Sequence, residues 1–518
     1  METRIDKSAG LLSRRGFLGS LGAVAAVSTI PGQRFGQSAY GEPAASPVSG
    51  PTPYVLLDRR IVAQAFAMRR EAPTPQTVHD GPLLTEAWAY GSVLRDKTGL
   101  FRMWYMGSPP YCEYYATSTD GIVWDKPDLN IVPAKYGTGA NAFLHVQQKD
   151  KNGRLLVGQA GPEGFSVLDA ESQPHPSAKD RYTVLYLAGL GKEGEEDGVS
   201  GLCIAYSDDG IHWWADEHNP VVDGWIDTSN CLMYDEKRKK YLIFGRPPVH
   251  VVLGRNANRM VSCMESDDLI HWSSPRTVFD TDERDADGLR LTDEGKLKDP
   301  PSEKVSIRGR DRQFYGMTAF MMNGLYIGLP QVYDIPSGNT WLELCHSSDG
   351  RNWLREPLRE PYIGPRSGTW ESRQVRPAMA TPPVRVGDEL WIYYSASPDP
   401  HHAGKAMKDR GIGCRSLKID RWVAYRSEDM EAELLTHPLE AGERLFLNAK
   451  TEPDGWIRVA VVEENGRDIE GLTREDCAPI TGDSIRHEVL WKKATMFPKR
   501  PIRLRIFSCH ASLYAFYS

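Results

Sequence analysis

The sequence predicts an all-β fold, in which a five-bladed β-propeller is followed by a C-terminal β-sandwich. Two observations support this prediction. A short motif recurs five times, each time after a β-type run, and a set of short alternating strands follows residue 427. Beyond the N-terminal segment no amphipathic helix of convincing length accompanies them, so both domains are predicted to consist of strands.

The repeated motif places a serine six positions before a tryptophan, with aspartate and usually glycine between them. Short Ser and Asp side chains can bond the backbone of a tight turn, and glycine adopts the left-handed conformation that such turns need. The tryptophan has a large face to bury in the returning strand. Five copies in frame indicate a repeat rather than chance. The copies are Ser118–Trp124, Ser207–Trp213, Ser266–Trp272, Ser347–Trp353 and the degenerate Ser416–Trp422.

The spacing of the copies fits propeller blades. Consecutive motif serines lie 59 to 89 residues apart, which is long for a solenoid but suits four-stranded blades with variable loops. We expect the propeller to occupy residues 54–427, with a strand at Tyr54–Val62 closing the ring. The innermost strands are expected to begin near Glu86, Asn141, Asp227, Gln313 and Trp370.

Residues 428–518 are predicted to form the β-sandwich, because the repeat stops and short alternating strands take its place. The candidate strands are Glu443–Asn448, Gly455–Val462, Ile485–Trp491, Ile502–Phe507 and Ala511–Tyr517.

The N-terminus is predicted to be a targeting segment. Arg14 and Arg15 precede Phe17, Leu18 and an apolar stretch to Ile30, a pattern typical of a twin-arginine signal peptide at residues 1–30 and too short for a stable membrane anchor. An ordinary secretory signal is the alternative. Residues 31–53 resemble a flexible leader. We therefore expect the twin-arginine machinery to export the chain to the periplasm or the cell exterior, with no stable membrane span in its mature form.

Composition narrows the possible partners. The chain has 518 residues, with 62 basic and 69 acidic residues and no basic stripe, so nucleic acid is not an expected partner. Its eight cysteines form no C-x-x-C pair, so we expect no zinc or redox site, no other metal and no cofactor. Four cysteines on strands leading into the repeated turns should pack as small apolar residues.

Side chains at the starts of the inner strands of a propeller converge on one end of the central funnel. Carboxylates are predicted at three of these five positions, and buried like charges are costly unless they are paired or used. Asn141 and Tyr315, or Gln313, would occupy the other two. Nearby basic residues could supply compensating charge: Arg246, His250, Arg259 and Arg373.

With these features the chain resembles the five-bladed β-propeller glycoside hydrolases, which include the arabinanase, invertase and mannoside phosphorylase groups. The resemblance covers residues 54–427, and the C-terminal sandwich looks like the one behind the propeller in the invertase group. The segments Arg102–Tyr105, Ala116–Gly121 and Ala511–Phe516 look like those of exported bacterial invertase-like proteins whose function is unassigned. The resemblance implies one carboxylate from each of blades one, two and three.

The match to that pattern is partial. Glu86 falls in the first position and Asp227 in the third, but the second holds Asn141, and an additional acid, Glu371, lies on blade five. If the reaction is glycoside cleavage, one carboxyl must be protonated and another ionised. Our hypothesis makes Asp227 and Glu371 the acid and base, with Glu86 as the third acid.

The remaining candidates are substrate-binding residues. Aromatic faces could stack on a sugar, arginines could bind a carboxylate or phosphate, and His401 and His402 lie in a loop that could reach over the site. The set is Trp88, Asn141, Arg246, Arg259, Tyr315, Arg373 and His401. Each has a structural alternative: the acids could cap strands or form salt bridges, the tryptophans could pack between blades, and the histidines could be solvated.

The favoured function is that of an exported glycoside hydrolase acting on an oligo- or polysaccharide. Two alternatives stay open. A glycoside phosphorylase would use Arg246, His250 and Arg259 to hold inorganic phosphate, although export argues against it because phosphate and sugar phosphates are cytoplasmic metabolites. A non-catalytic carbohydrate-binding propeller is favoured by the missing blade-two acid.

Overall fold

The structure of the chain is a computed structural model. It describes residues 53–107, 112–133, 135, 136, 139–158, 162–189, 200–224, 226, 230–247, 259–282, 285, 312–357, 359–377, 381–401, 403, 409–440, 442–492, 497, 498 and 500–518. The predicted signal peptide, Asp227, His250 and His402 lie outside these residues.

The first three strands belong to the C-terminal sheet. They are β1 (Pro53–Val55), β2 (Val62–Phe66) and β3 (Met68–Glu71), with a 3₁₀ turn at Arg59–Ile61 between the first two. β1 pairs with the last strand of the chain, and the ring of Tyr54 stacks on Phe516 with centroids 4.8 Å apart. The prediction that Tyr54–Val62 closes the propeller ring is therefore wrong, because this segment completes the sandwich instead.

The next segment closes the ring. β4 (Gln76–Thr77) and β5 (Leu84–Thr85) lie just before β6 (Ala87–Arg95), the inner strand of the first unit. Both short strands pair with the third strand of the fifth unit. A segment that precedes the first unit in the sequence therefore supplies the outer strand of the fifth unit. The first unit continues through β7 (Phe101–Gly107), β8 (Glu113–Ser118) and β9 (Ala142–Leu144).

The second and third units are antiparallel sheets built in the same order from inside to outside. The second contains β10 (Glu163–Asp169), β11 (Tyr182–Gly189), β12 (Ser200–Ser207), β13 (Trp214–Ala215) and β14 (Val222–Asp223). The third contains β15 (Cys231–Asp235), β16 (Lys240–Gly245), β17 (Val261–Ser266) and β18 (Arg276–Phe279).

The fourth and fifth units share one continuous sheet, because strand Asn339–Leu342 of the fourth pairs in parallel with strand Gln374–Pro377 of the fifth, at Thr340 and Gln374. The fourth contains β19 (Arg312–Met322), β20 (Leu325–Asp334), β21 (Asn339–Leu342), β22 (Leu344–Ser347) and β23 (Leu354–Glu356). The fifth contains β24 (Gln374–Pro377), β25 (Val384–Val386), β26 (Glu389–Ser397) and β27 (Gly411–Lys418).

Five apolar cores join neighbouring units among the described residues. Each core contains side chains from two consecutive units, and the one between the fifth and first units, with Trp391 and Phe101, completes the circle. The core between the fourth and fifth units also contains Val55 and Ala515 from the C-terminal sheet and Trp422 from the degenerate fifth motif. This arrangement confirms the predicted fold class of a propeller followed by a sandwich.

The sandwich is formed from one eight-stranded sheet. Its later strands are β28 (Ala424–Ser427), β29 (Ala432–Thr436), β30 (Phe446–Val462), β31 (Asp483–Glu488) and β32 (Arg503–Tyr517). The register of β30 against β32 shifts between Thr451 and Trp456. A single core contains residues from both sides of that irregularity, such as Leu447 and Val459, so the two halves of the sheet face each other.

Four of the five repeated motifs form the predicted turn with the same hydrogen bonds. In the fourth copy the Ser347 hydroxyl oxygen accepts from the Gly350 N–H at 2.9 Å, and Asp349 accepts from the N–H groups of Arg351 and Asn352 at 2.8 Å. The three glycine-containing copies place that glycine at φ between 70° and 81°, whereas the third has Leu269 at φ 72°. These local bonds explain why the motif recurs.

The turns also contact the preceding unit in the ring. Trp104 of the first unit donates to the carbonyl of Gly210 in the second at 2.6 Å, and Tyr393 of the fifth donates to the carbonyl of Gly121 in the first at 2.9 Å. A Cβ at Gly210 would come within 2.7 Å of Trp104. The motif therefore serves the packing between units as well as the turn.

The degenerate fifth copy has a different role. The Asp420 carboxylate accepts from Asn323 at 2.8 Å and from the Tyr517 hydroxyl at 2.9 Å, instead of from its own turn. Burial raises its pKa above the ordinary 3.8. This copy ties the propeller to the last strand of the sandwich.

The start of the second unit differs from the prediction. The segment after Asn141 is β9, the outer strand of the first unit, which pairs with β8. The inner strand of the second unit is β10, which begins at Glu163. In units two to four, the fourth strand begins within a few residues of the repeated turn. In the first unit, about twenty residues separate the turn from β9. For this reason the prediction took β9 for the inner strand of the second unit.

The burial of the cysteines agrees with the prediction that they pack as small apolar residues. Seven of the eight are buried, and burial raises the pKa of Cys203, Cys231 and Cys263 to about 12. Within the described ranges, no helix is both long enough and apolar enough to span a bilayer.

The Asp349 turn provides a test of how the motif stabilises the fold. Burial alone would raise the pKa of Asp349, but hydrogen bonds led by those from Asn352 and Arg351 lower it from 3.8 to about 2. We expect Asp349→Ala to reduce the free energy of unfolding by about 1–2 kcal/mol at pH 7, and Asp349→Asn, which keeps an acceptor oxygen, by less. Because the pKa is lowered on folding, the contribution of the carboxylate should disappear as the pH falls from 4 to 2. Denaturant unfolding over that pH range measures both effects, and a difference from wild type that does not change with pH would contradict them.

Candidate functional site

Arginines from the third and fifth units converge on aromatic rings near the starts of inner strands. We call Arg246, Arg259, Arg376 and Arg410 the arginine cluster. Arg246 directly follows β16 and Arg259 precedes β17 in the third unit, whereas Arg376 lies in β24 and Arg410 precedes β27 in the fifth. The fold therefore brings together groups up to 164 residues apart in sequence.

Tyr315 lies at the centre of the cluster. Its ring centroid is 4.2 Å from the guanidinium carbon of Arg246, 5.2 Å from that of Arg259 and 5.7 Å from that of Arg376. Tyr315 is the extra residue of a bulge in β19, between the pairs formed by Phe314 and Gly316. A bulge at this point re-aims the side chain without ending the strand.

Trp88 receives the guanidinium groups of the fifth unit. The guanidinium carbon of Arg410 lies 3.0 Å from the Trp88 ring centroid and that of Arg376 lies 4.3 Å from it. β6 also bulges here, and Tyr90 has φ 81°, a conformation that non-glycine residues rarely adopt. The bulge places the Tyr90 hydroxyl 3.4 Å from Arg376.

His401 links the rings to the arginines. Its imidazole lies 4.9 Å from the Tyr315 ring and 4.6 Å from the Tyr333 ring, centroid to centroid. Arg376 donates to its Nδ1 at 2.8 Å, so in this arrangement Nδ1 accepts and the ring proton is on Nε2. His401 therefore lies at the site, whereas residues 402 and 404–408 of its loop lie outside the described residues.

The structure thus brings together five of the predicted binding residues: Trp88, Arg246, Arg259, Tyr315 and His401. Two others lie apart. Arg373 donates to the Ser337 carbonyl at 2.6 Å and supports the rim. Asn141 is buried in the first unit, where it donates to the Tyr105 hydroxyl at 2.9 Å and to the Tyr115 carbonyl at 2.8 Å.

The three predicted acids have different surroundings. Glu86 is exposed just before β6 and has φ 57°. Asp227 lies outside the described residues. Glu371 is fully buried, and its carboxylate accepts from Arg366, from the Tyr394 hydroxyl, and from Arg415 at 2.6 Å. These contacts correspond to the salt-bridge alternative left open for Glu371, and none of them is to the arginine cluster.

Two further carboxyl groups lie at this end of the ring. Glu113 begins β8 and Glu163 begins β10, so both lie at the end of their sheets at which the inner strands β6 and β10 start. Glu113 is fully buried, and neither of its carboxyl oxygens has a hydrogen-bond partner among the described residues. Glu163 is half-buried and close enough to affect the charge state of Glu113. The sequence signal for Glu163 was an acidic residue at the start of a strand. We missed this signal because the second unit was predicted to begin near Asn141.

The strand register places Glu113 in line with Trp88. Trp88 pairs with Met106, and Met106 pairs with Glu113. Directly paired residues of antiparallel strands project to the same face, so these three side chains form a row two strand spacings long, about 10 Å. The row leads from the arginine cluster to the two carboxyl groups.

Burial and the neighbouring carboxylate both raise the pKa of Glu113. Loss of solvent is the larger cause, and repulsion from Glu163 adds to it, so the pKa stands well above the ordinary 4.5. A carboxylic acid whose pKa is raised beside a second carboxyl group can serve as a proton donor. Over the residues that the structure covers, no group of three potential ligands could hold a metal ion.

Similar structures exist at low sequence identity. A complex of BT0996 with RGII is 16% identical, covering 67% of the present sequence and 92% of that protein, with a TM-score of 0.42. A thermostable family-43 glycoside hydrolase is 13% identical, covering 68% and 95%, with a TM-score of 0.42. A glycoside hydrolase of the GH130 mannoside phosphorylase family, described as targeting β-1,2 mannosidic linkages in Candida mannan, is 14% identical, covering 67% and 94%, with a TM-score of 0.39.

No family model and no curated protein matches the chain. We therefore take the function from the residues of the site.

Substitution of Glu371 should test whether it is structural. Glu371→Gln leaves the buried Arg415 and the neighbouring Arg366 facing a neutral amide, and breaking a buried ion pair from one side costs about 3–5 kcal/mol. We expect a matching loss in the free energy of unfolding, measured by denaturant titration. An unchanged stability with lost turnover would instead support the predicted catalytic role.

Glu113→Gln should have the opposite effect. Because folding raises the pKa of Glu113, the folded chain holds a proton that the unfolded chain releases above pH 4.5. Each further pH unit then destabilises the wild-type fold by up to about 1.4 kcal/mol, until the pH reaches the folded pKa. The variant lacks this titration, so its stability relative to wild type should increase from pH 5 to pH 8. Parallel unfolding curves across that range would show that Glu113 is not held as a neutral acid.

Proposed function

We propose that the chain is a carbohydrate-active enzyme, a glycoside hydrolase in which Glu113 is the general acid and Glu163 its carboxylate partner. The single observation that carries the proposal is the fully buried Glu113 carboxyl, whose two oxygens have no partner within the described parts of the chain. Buried polar groups are nearly always satisfied, and the exceptions are concentrated at functional sites. The similar structures are consistent with this class of activity but do not carry the proposal.

The chemistry requires two carboxyl groups in different states. Glu113 would donate its proton to the glycosidic oxygen as the bond from that oxygen to the anomeric carbon breaks. In an inverting reaction, Glu163 would take a proton from a water molecule that attacks the anomeric carbon. In a retaining reaction, Glu163 would attack the anomeric carbon itself, and water would then hydrolyse the glycosyl intermediate. The anomeric form of the first product distinguishes inversion from retention.

The remaining predicted acids have secondary places in the proposal. Asp227 is expected four residues before β15, near the start of the third inner strand, and would add a third acid at the funnel. Glu86 lies two residues before Trp88 and is exposed, so it could contact substrate at the mouth of the site. We further propose that the segment before residue 31 exports the chain by the twin-arginine route to the periplasm or beyond, where it would meet an oligo- or polysaccharide.

A glycoside phosphorylase is the second candidate, favoured by the arginines around Tyr315. Inorganic phosphate would then replace water as the attacking group, and turnover would depend on it. Assays with and without phosphate separate the two reactions by their products, a free sugar or a sugar phosphate.

Turnover of the amide variants tests the assignment. A screen of aryl glycosides and plant or algal polysaccharides identifies a substrate, and we then expect Glu113→Gln and Glu163→Gln to lower kcat by a factor of about 10² or more. Glu113→Gln should restore part of the rate with substrates whose leaving group needs no protonation. Glu343→Gln is a matched control, because Glu343 is equally buried but pairs with Arg355. Full activity of both variants would overturn the proposal, and binding of glycans without any product would favour the non-catalytic alternative.

A further inference from the structure

We propose that the arginine cluster is a binding subsite for an anionic group carried on the sugar, a carboxylate or a sulfate ester, so that the substrate is an acidic saccharide. This inference deepens the proposed function and rests on it only for the reaction, because binding can be measured without turnover. Four observations lead to it: the charge at Arg376, the convergence of like charges, their fixed orientation and their distance from the carboxyl pair.

Arg376 is a buried cation with neutral partners. Its side chain is in a residue only 3% exposed, and it donates to the Tyr90 hydroxyl, to the Gln374 side-chain oxygen and to His401 Nδ1. Among the described residues its hydrogen-bond partners are these three neutral groups, and its Nε has no hydrogen-bond partner. Arginine stays charged when buried, so this position retains a charge that an incoming anion would stabilise.

The neighbouring charges have the same sign. Arg246 and Arg259 approach the Tyr315 ring that Arg376 also approaches, and Arg410 shares the Trp88 ring with Arg376. Arg246 and Arg410 are both less than a tenth exposed. Converging guanidinium groups repel one another, and an oxyanion between them reverses that repulsion and accepts paired N–H donors in the geometry that arginine presents.

The aromatic rings fix the direction of these donors. With guanidinium groups stacked against Trp88 and Tyr315, those rings act as platforms for the arginines, and less of their surface remains for a sugar. The sequence-based role of Trp88 as a sugar-stacking residue is thereby replaced, in this proposal, by that of a positioning residue. Preorganised donors lose little freedom on binding, which favours selectivity for a planar or tetrahedral oxyanion.

A short oligosaccharide is long enough to reach from the arginine cluster to the proposed general acid. Trp88, Met106 and Glu113 form one row across three strands, so the backbone positions of Trp88, whose ring the arginines contact, and of Glu113 are separated by about 10 Å. An anion on the sugar at or next to the cleaved bond could reach the cluster. Inorganic phosphate could also bind there, and the experiment must distinguish the two sources.

Calorimetric titration of the Glu113→Gln protein tests the subsite directly. The probes are oligogalacturonates and sulfated chondroitin disaccharides, each beside its carboxyl-reduced or desulfated counterpart, and inorganic phosphate alone. We expect at least one acidic probe to bind about 100-fold or more tightly than its neutral counterpart. Equal affinities within every pair, or binding of phosphate alone with phosphate-dependent turnover of the wild type, would overturn the proposal.

Matched arginine variants locate the effect. Arg376→Met should lower the affinity for the acidic probe about 100-fold while leaving that for the neutral one nearly unchanged, and Arg376→Lys should fall between. Arg373→Met is the control, because Arg373 lies three residues away but bonds the Ser337 carbonyl at the rim. An unchanged affinity in Arg376→Met would refute the subsite. Should Arg376→Met fail to fold, the Lys variant and Arg410→Met provide the same comparison.

The outcomes for the two proposals remain separate. If Glu113→Gln retains full turnover while Arg376→Met loses binding of the acidic probe, the general acid is wrong and the subsite stands. If Glu113→Gln loses turnover but acidic and neutral probes bind alike, the general acid stands and the subsite is wrong.

Discussion

Pairing of β4 and β5 with β27 is the constraint on which the rest of the structure depends. These four residues complete the fifth unit, and closure of the ring brings the starts of inner strands from different units close together. Closure brings Tyr315, Trp88 and Arg376 into contact although they belong to three different units. It also removes the open sheet edges that an incomplete ring would expose to other proteins.

The site shows how a protein can combine charges that do not favour folding. Glu113 is a buried acid without a hydrogen-bond partner in the described structure, and Arg376 is a buried cation among neutral groups. Each lowers stability by itself. By contrast, Glu371, Glu356 and Asp216 are acids whose cationic partners are in place. The acids with cationic partners stabilise the fold. Glu113 and Arg376 do not, and in our proposals they gain their partners only when a substrate binds.

Local chemistry made much of this fold predictable from the sequence. The Ser and Asp side chains of the motif bond their own turns, so the turns could be located without knowledge of the rest of the protein. What could not be predicted depends on distant pairings. Tyr54 packs on Phe516, 462 positions later, and the outer strand of the first unit is separated from its turn, so the ring-closing strand and the second inner strand were misplaced.

The same limit applies to the site. Arginine and aromatic residues could be proposed from their types and positions near strand starts, and five of them do meet. The sequence contains no sign that Glu371 would meet Arg366 and Arg415, because that contact depends on how the segment before β24 packs against β27. Glu113 was overlooked because it begins a third strand, whose register with Trp88 only the assembled sheet defines.

The pairing of early strands with late ones has a consequence for biosynthesis. β1 pairs with β32, and β4 and β5 pair with β27, so the C-terminal sheet cannot be completed before β32 has left the ribosome, nor the ring before β27 has. The early strands of the nascent chain must therefore remain unpaired until these distant partners have been synthesised, and assembly depends on contacts between remote segments. Such a polypeptide depends on chaperone protection for longer than one that assembles domain by domain.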